Sequence, residues 1–415
     1  MASPSDSRVK TEHVKAALKE DKGIDATLNT WKVIRFTQKG DNYQSDVFSI
    51  YATFMQDGQL QNTSYVVKSG IPQNKFNQYY HNIFEKEANL LLELARTLSS
   101  KLIEIGQHVI RVPRGIFYSD TFNSEFLIMN DLRLDNFKMV DRKLGLDLSH
   151  TIVALRELGR YHAAWKLLKG KTPEKEMLVR YPYLAIKSWQ NFPDEMDDEV
   201  DGWFQGSVNN TVKLLKTVTG YEKAIKWLET IKPDFKKVFI EQQNSSEQFA
   251  VLTHGDYWSN NMLFRYDSEG CPCDIIMLDL ANYTHSSLAT DLNYLLFCSM
   301  DGNTRKTHLS TFLSAYYNSF ATVMKAGGSE MPFSVEELLV EFKAKNIYGA
   351  LMALIVVPLF IMDSEDAPDF DEINDAEQFI KNQEERMIKQ AKKNPLVKTR
   401  FLAVFDDLLE NGTIA

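Results

Sequence analysis

Cysteine is scarce in this chain of 415 residues. The three cysteines, Cys271, Cys273 and Cys298, are too few for the disulfide framework of a small secreted domain. The first thirteen residues are polar and charged, without the apolar stretch of a secretory signal. Both features favour a reducing compartment, and we expect a cytoplasmic protein.

Long hydrophobic runs are also absent. The longest apolar stretch, 348–362, contains Pro358 and is shorter than the ~20 residues of a membrane-spanning helix, so a buried core helix is expected. A net charge of −9 and a pI of about 5.5 disfavour nucleic acid and anionic membranes as partners. We therefore predict a small-molecule partner, no nucleic acid and no membrane span. Nothing in the sequence specifies an oligomeric state.

Signatures of two phosphate-transferring classes are missing. No G-x-x-x-x-G-K-[ST] sequence occurs, which excludes a P-loop enzyme. There is no H-R-D sequence and no A-P-E-type segment after Asp279, which disfavours a protein kinase.

The chain does contain residues suited to phosphoryl transfer from Mg-ATP. Residues 254–261 read H-G-D-Y-W-S-N-N, and Asp279 follows the next apolar strand. Asp256 is the predicted catalytic base, which accepts the proton of an attacking hydroxyl. Asn261 and Asp279 are predicted to serve catalysis as magnesium ligands. Gly255 stands where protein kinases have arginine, which favours a kinase of small molecules.

A phosphate-binding pair is predicted in the first part of the chain. Lys68 ends a strand-like run, where a cation for the ATP α- and β-phosphates is needed, and Glu87 on the next helix can hold it. Glu85 is the competing glutamate, on another face of that helix. Taken singly, each residue would be a solvated surface charge. Their order relative to Asp256 favours the functional interpretation.

Two further segments are candidate nucleotide contacts. Gly40, Asn42 and Ser45 belong to a turn between the first two strands, where a phosphate-covering loop would lie. Because the turn lacks G-x-G-x-x-G spacing, an ordinary hairpin turn is the alternative. The segment from Met129 to Asp131 follows an apolar strand and is predicted to be a hinge whose backbone binds adenine.

The periodicity predicts an α+β protein with two unequal parts. Strand-like runs lie at 31–36, 47–54, 64–68, 115–118, 126–129, 249–252 and 275–278. Helical spacing occurs at 82–105, 152–168, 208–230, 305–325, 335–362 and 375–392. We predict an N-terminal ATP-binding lobe over 1–129, with 1–25 as an extension, and a catalytic and substrate-binding lobe over 130–415.

Several residues have both a structural and a functional interpretation. His254 and His162 are predicted to be internal struts, and Asp291 to cap the next helix and steady the catalytic loop. Trp258 either touches substrate or braces its loop. An aromatic group could line an acceptor pocket, with Trp189 as the candidate contact, or form core. The group is Tyr181, Tyr183, Trp189, Phe192, Trp203, Phe204 and Trp227.

Lys68, Glu87, the run 254–261, Asp279 and the D-L-x-Y-L-L segment 291–296 together resemble the ecdysteroid kinase-like family. This family belongs to the aminoglycoside phosphotransferase and choline kinase superfamily. The resemblance implies a protein-kinase-like bilobal fold, with a small antiparallel-sheet N-lobe containing one helix and a larger, mostly helical C-lobe. It also implies ATP and Mg²⁺ as cofactors and a small-molecule hydroxyl as acceptor. An ecdysteroid or a xenobiotic alcohol is the expected substrate.

Two alternatives to this substrate class stay open. One is a choline-, ethanolamine- or sugar-type kinase, and the other is a catalytically weak homologue that binds nucleotide or ligand. Leu280-Ala281 follow Asp279 where the family usually has Phe and Gln, and Asn130 replaces the usual Glu before Asp131. Neither departure removes a reacting group, so an active enzyme is expected.

Overall fold

The computed structural model describes residues 8–36, 45–70, 76–187, 192–361 and 376–414. Its first part is built on a five-stranded antiparallel sheet of order β1-β2-β3-β5-β4. The strands are β1 (Thr27–Ile34), β2 (Ser45–Gln56), β3 (Gln59–Gly70), β4 (Gly115–Ser119) and β5 (Phe126–Asn130). Each coincides with a predicted strand-like run, and β1 to β3 extend beyond theirs.

One face of this sheet is covered by α1 (Thr11–Lys22). Val14 on α1 is buried in an apolar cluster with strand side chains, and the Tyr65 hydroxyl on β3 donates to Asp21 on α1 at 2.9 Å. The predicted N-terminal extension therefore contributes a helix to the core of the sheet.

The opposite face of the sheet carries Lys68 and faces a second helical layer. The predicted helix over 82–105 consists of α2 (Asn77–Asn89), a π-helical turn (Leu90–Leu94) and α3 (Ala95–Glu104). Leu91, Leu98 and other apolar side chains of this layer are buried in the largest core cluster of the described residues.

The remainder is mostly helical, as predicted. Its helices are α4 (Leu148–Lys171), α5 (Glu174–Arg180), α6 (Asp194–Leu215), α7 (Glu222–Ile231), α8 (Phe235–Gln242), α9 (Leu288–Cys298), α10 (Gly302–Ala326), α11 (Val335–Ala344), α12 (Asn346–Phe360), α13 (Ala376–Lys393) and α14 (Ala403–Glu410). Two strand pairs lie among them: β6 (Ala250–Thr253) with β9 (Thr284–Ser287), and β7 (Met262–Tyr266) with β8 (Pro272–Met277). The predicted α+β class, with a small antiparallel sheet and a larger, mostly helical part, is thus confirmed. The lobe boundary predicted between 129 and 130 falls at the end of β5 and stays a prediction.

Two predicted helices are each divided in the structure. The helical spacing at 208–230 belongs to α6 and α7, and the spacing at 335–362 belongs to α11 and α12, which are separated at Lys345. Within the described ranges, no single helix has the length and hydropathy of a membrane span. Helices α11 and α12 reach both only when joined across their 49° bend.

Helices α4 and α10 pack closely against each other at Gly159. A Cβ atom on Gly159 would lie 2.6 Å from the backbone oxygen of Tyr316 and 3.1 Å from the nitrogen of Phe320. Because both are backbone atoms, rotation of a side chain would not relieve the contact. Only hydrogen at this position permits the observed packing.

We expect Gly159→Ala to lower the free energy of unfolding by about 1–3 kcal/mol, because the added methyl group overpacks the interface. Gly170→Ala, in the same helix, adds its methyl group to open space and is the matched control. Its higher helix propensity should leave stability unchanged or raise it by up to about 1 kcal/mol. Urea denaturation with far-UV circular dichroism measures both variants. Equal midpoints for the two would contradict the close contact at Gly159.

Candidate active site

The H-G-D motif lies in a loop between two strand pairs. The loop leaves β6 after Thr253 and enters β7 at Met262, while Asp279 lies between β8 and β9. The Leu278 N–H donates to the Asn261 backbone oxygen at 2.8 Å, which joins the two segments. This local topology brings Asp256, Asn261 and Asp279 into one site.

Both oxygens of the Asp256 carboxylate are held by hydrogen bonds. The Asn261 side-chain amide donates to Oδ2 at 2.8 Å and to the Asp256 backbone oxygen at 3.0 Å. The Tyr294 hydroxyl donates to Oδ1 at 2.5 Å. These bonds fix the orientation of the predicted base. Tyr294 is absent from the sequence prediction, although its place one helical turn after Asp291 in D-L-x-Y-L-L could have indicated it.

The protonation of Asp256 is shifted toward neutral pH. Burial raises its pKa and the nearby Asp279 charge raises it further, whereas the hydrogen bonds from Tyr294 and Asn261 lower it, and the pKa lies at about 7. A carboxylate with this pKa suits a general base that works near pH 7, because it takes up and releases a proton readily.

Steric constraints explain why position 255 is glycine. Gly255 has a φ of +79°, and a Cβ there would lie 2.1 Å from the Asn282 backbone oxygen. A residue with a side chain is thus excluded on two grounds, backbone conformation and space. The arginine that protein kinases have at this position cannot be accommodated in this loop.

Asp291 anchors the H-G-D motif through its backbone. Its carboxylate accepts hydrogen bonds from the backbone N–H groups of His254 at 2.6 Å and Gly255 at 2.9 Å. The predicted helix-capping role of Asp291 is wrong, because Ser287 is the N-cap of α9 and its hydroxyl accepts from Ala289 N–H. Since β9 runs directly into α9, the helix begins four residues earlier than the sequence suggested.

The two motif-associated histidines are buried. His162 donates from Nε2 to Asp291 Oδ2 at 3.1 Å, so its Nδ1 accepts from the Tyr316 hydroxyl at 2.8 Å. His254 Nδ1 accepts from the Asp256 N–H at 3.3 Å, and burial lowers the pKa of His254. Both histidines therefore brace the site from inside the protein.

Lys68 is shared by two carboxylates. Its Nζ lies 2.6 Å from Glu87 Oε2 and 2.7 Å from Asp279 Oδ1. Burial lowers the pKa of Lys68, but the two carboxylates outweigh burial and the pKa lies above its usual value. An ammonium has three N–H donors, and two are used here. The competing Glu85 lies near Tyr118, whose pKa its charge helps to raise.

Asp279 has the exposure and chemistry of a metal ligand. Its side chain is 44% exposed, and only Oδ1 contacts Lys68. Burial raises its pKa, but the Lys68 ammonium outweighs this, so the pKa lies below the usual value and the group is ionised. Together with the Asn261 amide oxygen it supplies the oxygen donors that Mg²⁺ prefers.

The residues after Asp279 retain an apolar contact. Leu280, where the family usually has Phe, is fully buried, and its backbone N–H donates to the Glu87 carboxylate. Ala281 is also buried. The substitution of Leu for Phe therefore keeps Asp279 anchored to α2.

The predicted hinge is held by side chains on both sides. Met129 pairs with Val66 and lies on the same face of the sheet as Lys68. The Asn130 side-chain oxygen accepts from the Arg114 N–H at 2.7 Å, and buried Asp131 accepts from Arg133 Nε at 2.8 Å.

A small apolar cluster adjoins the hinge. Leu132, Phe137 and Ile276 are its buried members, and Leu263 and Leu278 pack against it partly exposed. An apolar surface beside the hinge suits the faces of an adenine ring. Part of the hinge backbone is already used, since the Asn130 N–H donates to the Arg114 oxygen and the Asp131 oxygen accepts from the Leu134 N–H.

Three predicted residues lie outside the described ranges: Gly40, Asn42 and Trp189. Ser45 is described and begins β2. It alternates with Val47, the partner of Lys68, so it lies on the Lys68 face of the sheet. Its role in phosphate binding stays a prediction.

Most of the aromatic residues belong to the main core. Tyr181, Tyr183 and Phe204 are buried in it, and Trp203 and Trp227 pack against it. Phe192 is partly exposed and contacts Tyr79 on α2 instead.

Trp258 follows Asp256 by two positions and lies edge-on to Phe360 with ring centroids 4.2 Å apart. Both rings are buried members of the same core. Of the two interpretations of Trp258, bracing its loop is therefore the one that fits its burial.

Comparison with known proteins identifies a family and, among solved structures, distant kinases. The model of the ecdysteroid kinase-like family matches residues 39–328, well over half of the chain. No curated protein matches. An ethanolamine kinase from Plasmodium vivax is 12% identical with a TM-score of 0.44, and the match covers 94% of this chain and 85% of that one. A glucosamine kinase is 10% identical with a TM-score of 0.31, over 90% and 79%. With TM-scores below 0.5, neither structure bears on activity.

We expect Tyr294→Phe to shift the pH dependence of ATP turnover. Asp256 must be ionised to accept a proton, so kcat/KM should fall as the pH drops below about 7. Removing the Tyr294 hydrogen bond destabilises the ionised form of Asp256 and raises its pKa. The acidic limb of the pH profile of kcat/KM should therefore move about one pH unit higher.

The matched control for this shift is Tyr161→Phe. Tyr161 is equally buried, and its hydroxyl has no hydrogen-bond partner in the part of the chain that the structure describes. Its pH profile should coincide with that of the unmodified protein. Coincident profiles for all three proteins would contradict the role of Tyr294.

Proposed function

We propose that this chain, which belongs to the ecdysteroid kinase-like family, transfers the γ-phosphoryl group of ATP to a hydroxyl of a small lipophilic molecule. The observation that carries the proposal is the convergence of Asp256, held by Asn261 and Tyr294, with the Lys68–Glu87–Asp279 group. A base and a phosphate-binding cation within one site are the parts that phosphoryl transfer requires.

The nucleotide would lie between the sheet and the hinge. Among the described residues Lys68 uses two of its three N–H donors, so the third would bind the α- and β-phosphates, and Glu87 keeps its ammonium in place. Ser45, with Gly40 and Asn42, would cover the phosphates. The backbone from Met129 to Asp131 would bind adenine, beside the apolar cluster that adjoins the hinge.

Asn261 and Asp279 would hold Mg²⁺, because both present oxygen atoms and Asp279 is ionised and partly exposed. When bound, the cation neutralises charge on the phosphates. The residues themselves keep the geometry: Asn261 is fixed to Asp256, and Asp279 is fixed to Lys68.

Asp256 would take the proton of the acceptor hydroxyl. Oδ2 is the atom available to the hydroxyl, because a carboxylate oxygen can accept a second hydrogen bond beside that of the Asn261 amide, while Oδ1 stays with Tyr294. The acceptor oxygen forms a bond to the γ-phosphorus as the bond to the β-phosphate oxygen breaks, and ADP leaves. Positioning supplies most of the acceleration, since little covalent work falls to the protein.

The surroundings of the base favour a lipophilic acceptor. Trp258 and Phe360 back the loop of the base with buried aromatic rings, and Phe360 ends α12, a helix whose side chains are almost entirely apolar and buried. Apolar walls with a few fixed polar groups are typical of sites for large hydrophobic ligands. An ecdysteroid or a xenobiotic alcohol fits this chemistry.

The test is transfer of ³²P from [γ-³²P]ATP to a panel of ecdysteroids, other sterols, xenobiotic alcohols, choline, ethanolamine and sugars. Transfer to an ecdysteroid or a xenobiotic alcohol is the expected result. Asp256→Asn should reduce it by at least about 10²-fold, because the general base is lost. Asp25→Asn, at an exposed loop position, is the matched control and should retain activity.

Transfer only to choline, ethanolamine or a sugar would overturn the lipophilic acceptor and leave the kinase. Magnesium-dependent ATP binding without transfer to any acceptor would overturn the enzyme and favour a nucleotide-binding homologue.

A further inference from the structure

A buried lysine connects α2 to the segment that follows Asp279. Lys86 is fully buried, and its Nζ donates to the Tyr283 backbone oxygen at 2.5 Å and lies 4.2 Å from the centre of the Tyr283 ring. In return, the Tyr283 hydroxyl donates to the Lys86 backbone oxygen at 3.2 Å. Two hydrogen bonds of opposite direction therefore join residues that are 197 positions apart in the chain.

The same helix contacts the beginning of this segment. Glu87, next to Lys86, holds Lys68 against Asp279 and accepts from the Leu280 N–H. Consecutive helical residues project about 100° apart. Lys86 and Glu87 can therefore reach the two ends of the segment 279–283, one at Tyr283 and the other at Leu280.

The segment requires such support because Asp279 has an unfavourable backbone conformation. Its φ of +58° lies in the left-handed region, which costs a residue with a side chain about 1–2 kcal/mol. Such a conformation persists only where the surroundings determine it. Before Asp279, the Leu278 N–H is bonded to the Asn261 oxygen. After Asp279, the Lys86–Tyr283 pair holds the far end of the segment 279–283.

We propose that Lys86 is a positioning residue, which acts through Tyr283 to hold Asp279 where its exposed carboxylate can bind Mg²⁺. This inference rests on the proposed function, in which Asp279 is a magnesium ligand. Lys86 itself touches neither nucleotide nor acceptor.

A lysine suits this position better than an apolar residue of similar length. The Tyr283 backbone oxygen is an acceptor in a buried environment, and leaving it without a donor would be costly. Burial lowers the pKa of Lys86 to about 7. Both protonation states of the amine retain N–H donors, so the hydrogen bond to Tyr283 persists in either.

The test compares Lys86→Met with Lys345→Met. Lys345 is half-buried and also donates to a backbone oxygen, that of Asn244 at 2.6 Å, but between α11 and α12. Both changes remove one lysine-to-carbonyl hydrogen bond and keep most of the side-chain volume. The segment that loses its lysine contact is different in the two variants.

The first readout is hydrogen–deuterium exchange of the protein without nucleotide, followed by mass spectrometry. In Lys86→Met, the amides of peptides that cover 278–283 should exchange about tenfold faster, because the segment opens locally. Lys345→Met should leave these peptides unchanged. This measurement requires neither Mg²⁺ nor an acceptor.

The second readout is nucleotide affinity, measured by calorimetry with ATP over a range of Mg²⁺ concentrations. Lys86→Met should need about tenfold more Mg²⁺ for the same gain in affinity, as expected when a group that orients a metal ligand is lost. Its affinity for ATP without Mg²⁺ should stay as in the unmodified protein. A residue of merely structural importance would lower the melting temperature and leave the Mg²⁺ dependence unchanged.

If Lys86→Met does not fold, Tyr283→Phe takes its place as the test variant. It removes the hydroxyl bond to Lys86 and keeps both the ring and the backbone oxygen, so smaller shifts in the same directions are expected. Unmodified exchange and Mg²⁺ dependence in Lys86→Met, or in Tyr283→Phe where only that variant folds, would overturn the inference. Failure of the proposed function is recognised separately, as absence of transfer by the unmodified protein.

Discussion

The Lys68 ammonium connects three parts of the chain that are distant in sequence. It lies on β3, contacts Glu87 on α2, and contacts Asp279 between β8 and β9. Lys68 and Glu87 are the more buried members, and removing one partner of a buried ion pair leaves the other uncompensated, at a cost of several kcal/mol. This one group therefore helps to fix α2 against the sheet and Asp279 against both. Among the described residues the ammonium uses two of its three N–H donors, and in the proposed function the third binds phosphate.

Behind the catalytic loop lies a second polar arrangement, centred on Asp291. Its carboxylate binds two consecutive backbone N–H groups of the H-G-D motif, and His162 and Tyr316 extend the chain of hydrogen bonds into the core. A carboxylate that accepts backbone N–H groups holds a loop more firmly than packing alone. The loop can therefore keep Gly255 at a positive φ and direct Asp256 toward the site. The predicted base Asp256 is thus supported in two ways. Asp291 holds the backbone of its loop, and Tyr294 holds its carboxylate.

Asp279 has a strained backbone conformation that its neighbours hold in place. Asp279 has a left-handed backbone, and the contacts on both sides of it, to Asn261 and to Lys86 through Tyr283, counter its tendency to relax. The exposed oxygen of Asp279 remains accessible because the holding contacts lie on Oδ1 and on the backbone. In the proposed function, Asp279 is therefore oriented before the metal binds, which reduces the reorganisation needed on binding.

The sequence by itself determined the elements and the reacting groups. Alternation and helical spacing placed β1 to β5 and α2 to α4, because these signals depend on neighbouring residues. The order of Lys68, Glu87, Asp256, Asn261 and Asp279 indicated a kinase, because phosphoryl transfer needs these residue types.

Only the tertiary structure decided which side chains support the predicted reacting groups. Tyr294 lies 38 positions from Asp256, and Lys86 lies 197 positions from Tyr283. The segment D-L-x-Y-L-L marks Tyr294 as a neighbour of Asp291, but no local pattern pairs Tyr294 with Asp256 or Lys86 with Tyr283. For the same reason the aromatic residues around Phe204 could not be assigned to core or pocket. Of the two roles predicted for Asp291, the structure keeps the support of the loop and not the helix cap, because the start of α9 is set by its junction with β9. Local periodicity specifies elements, whereas long-range packing specifies partners.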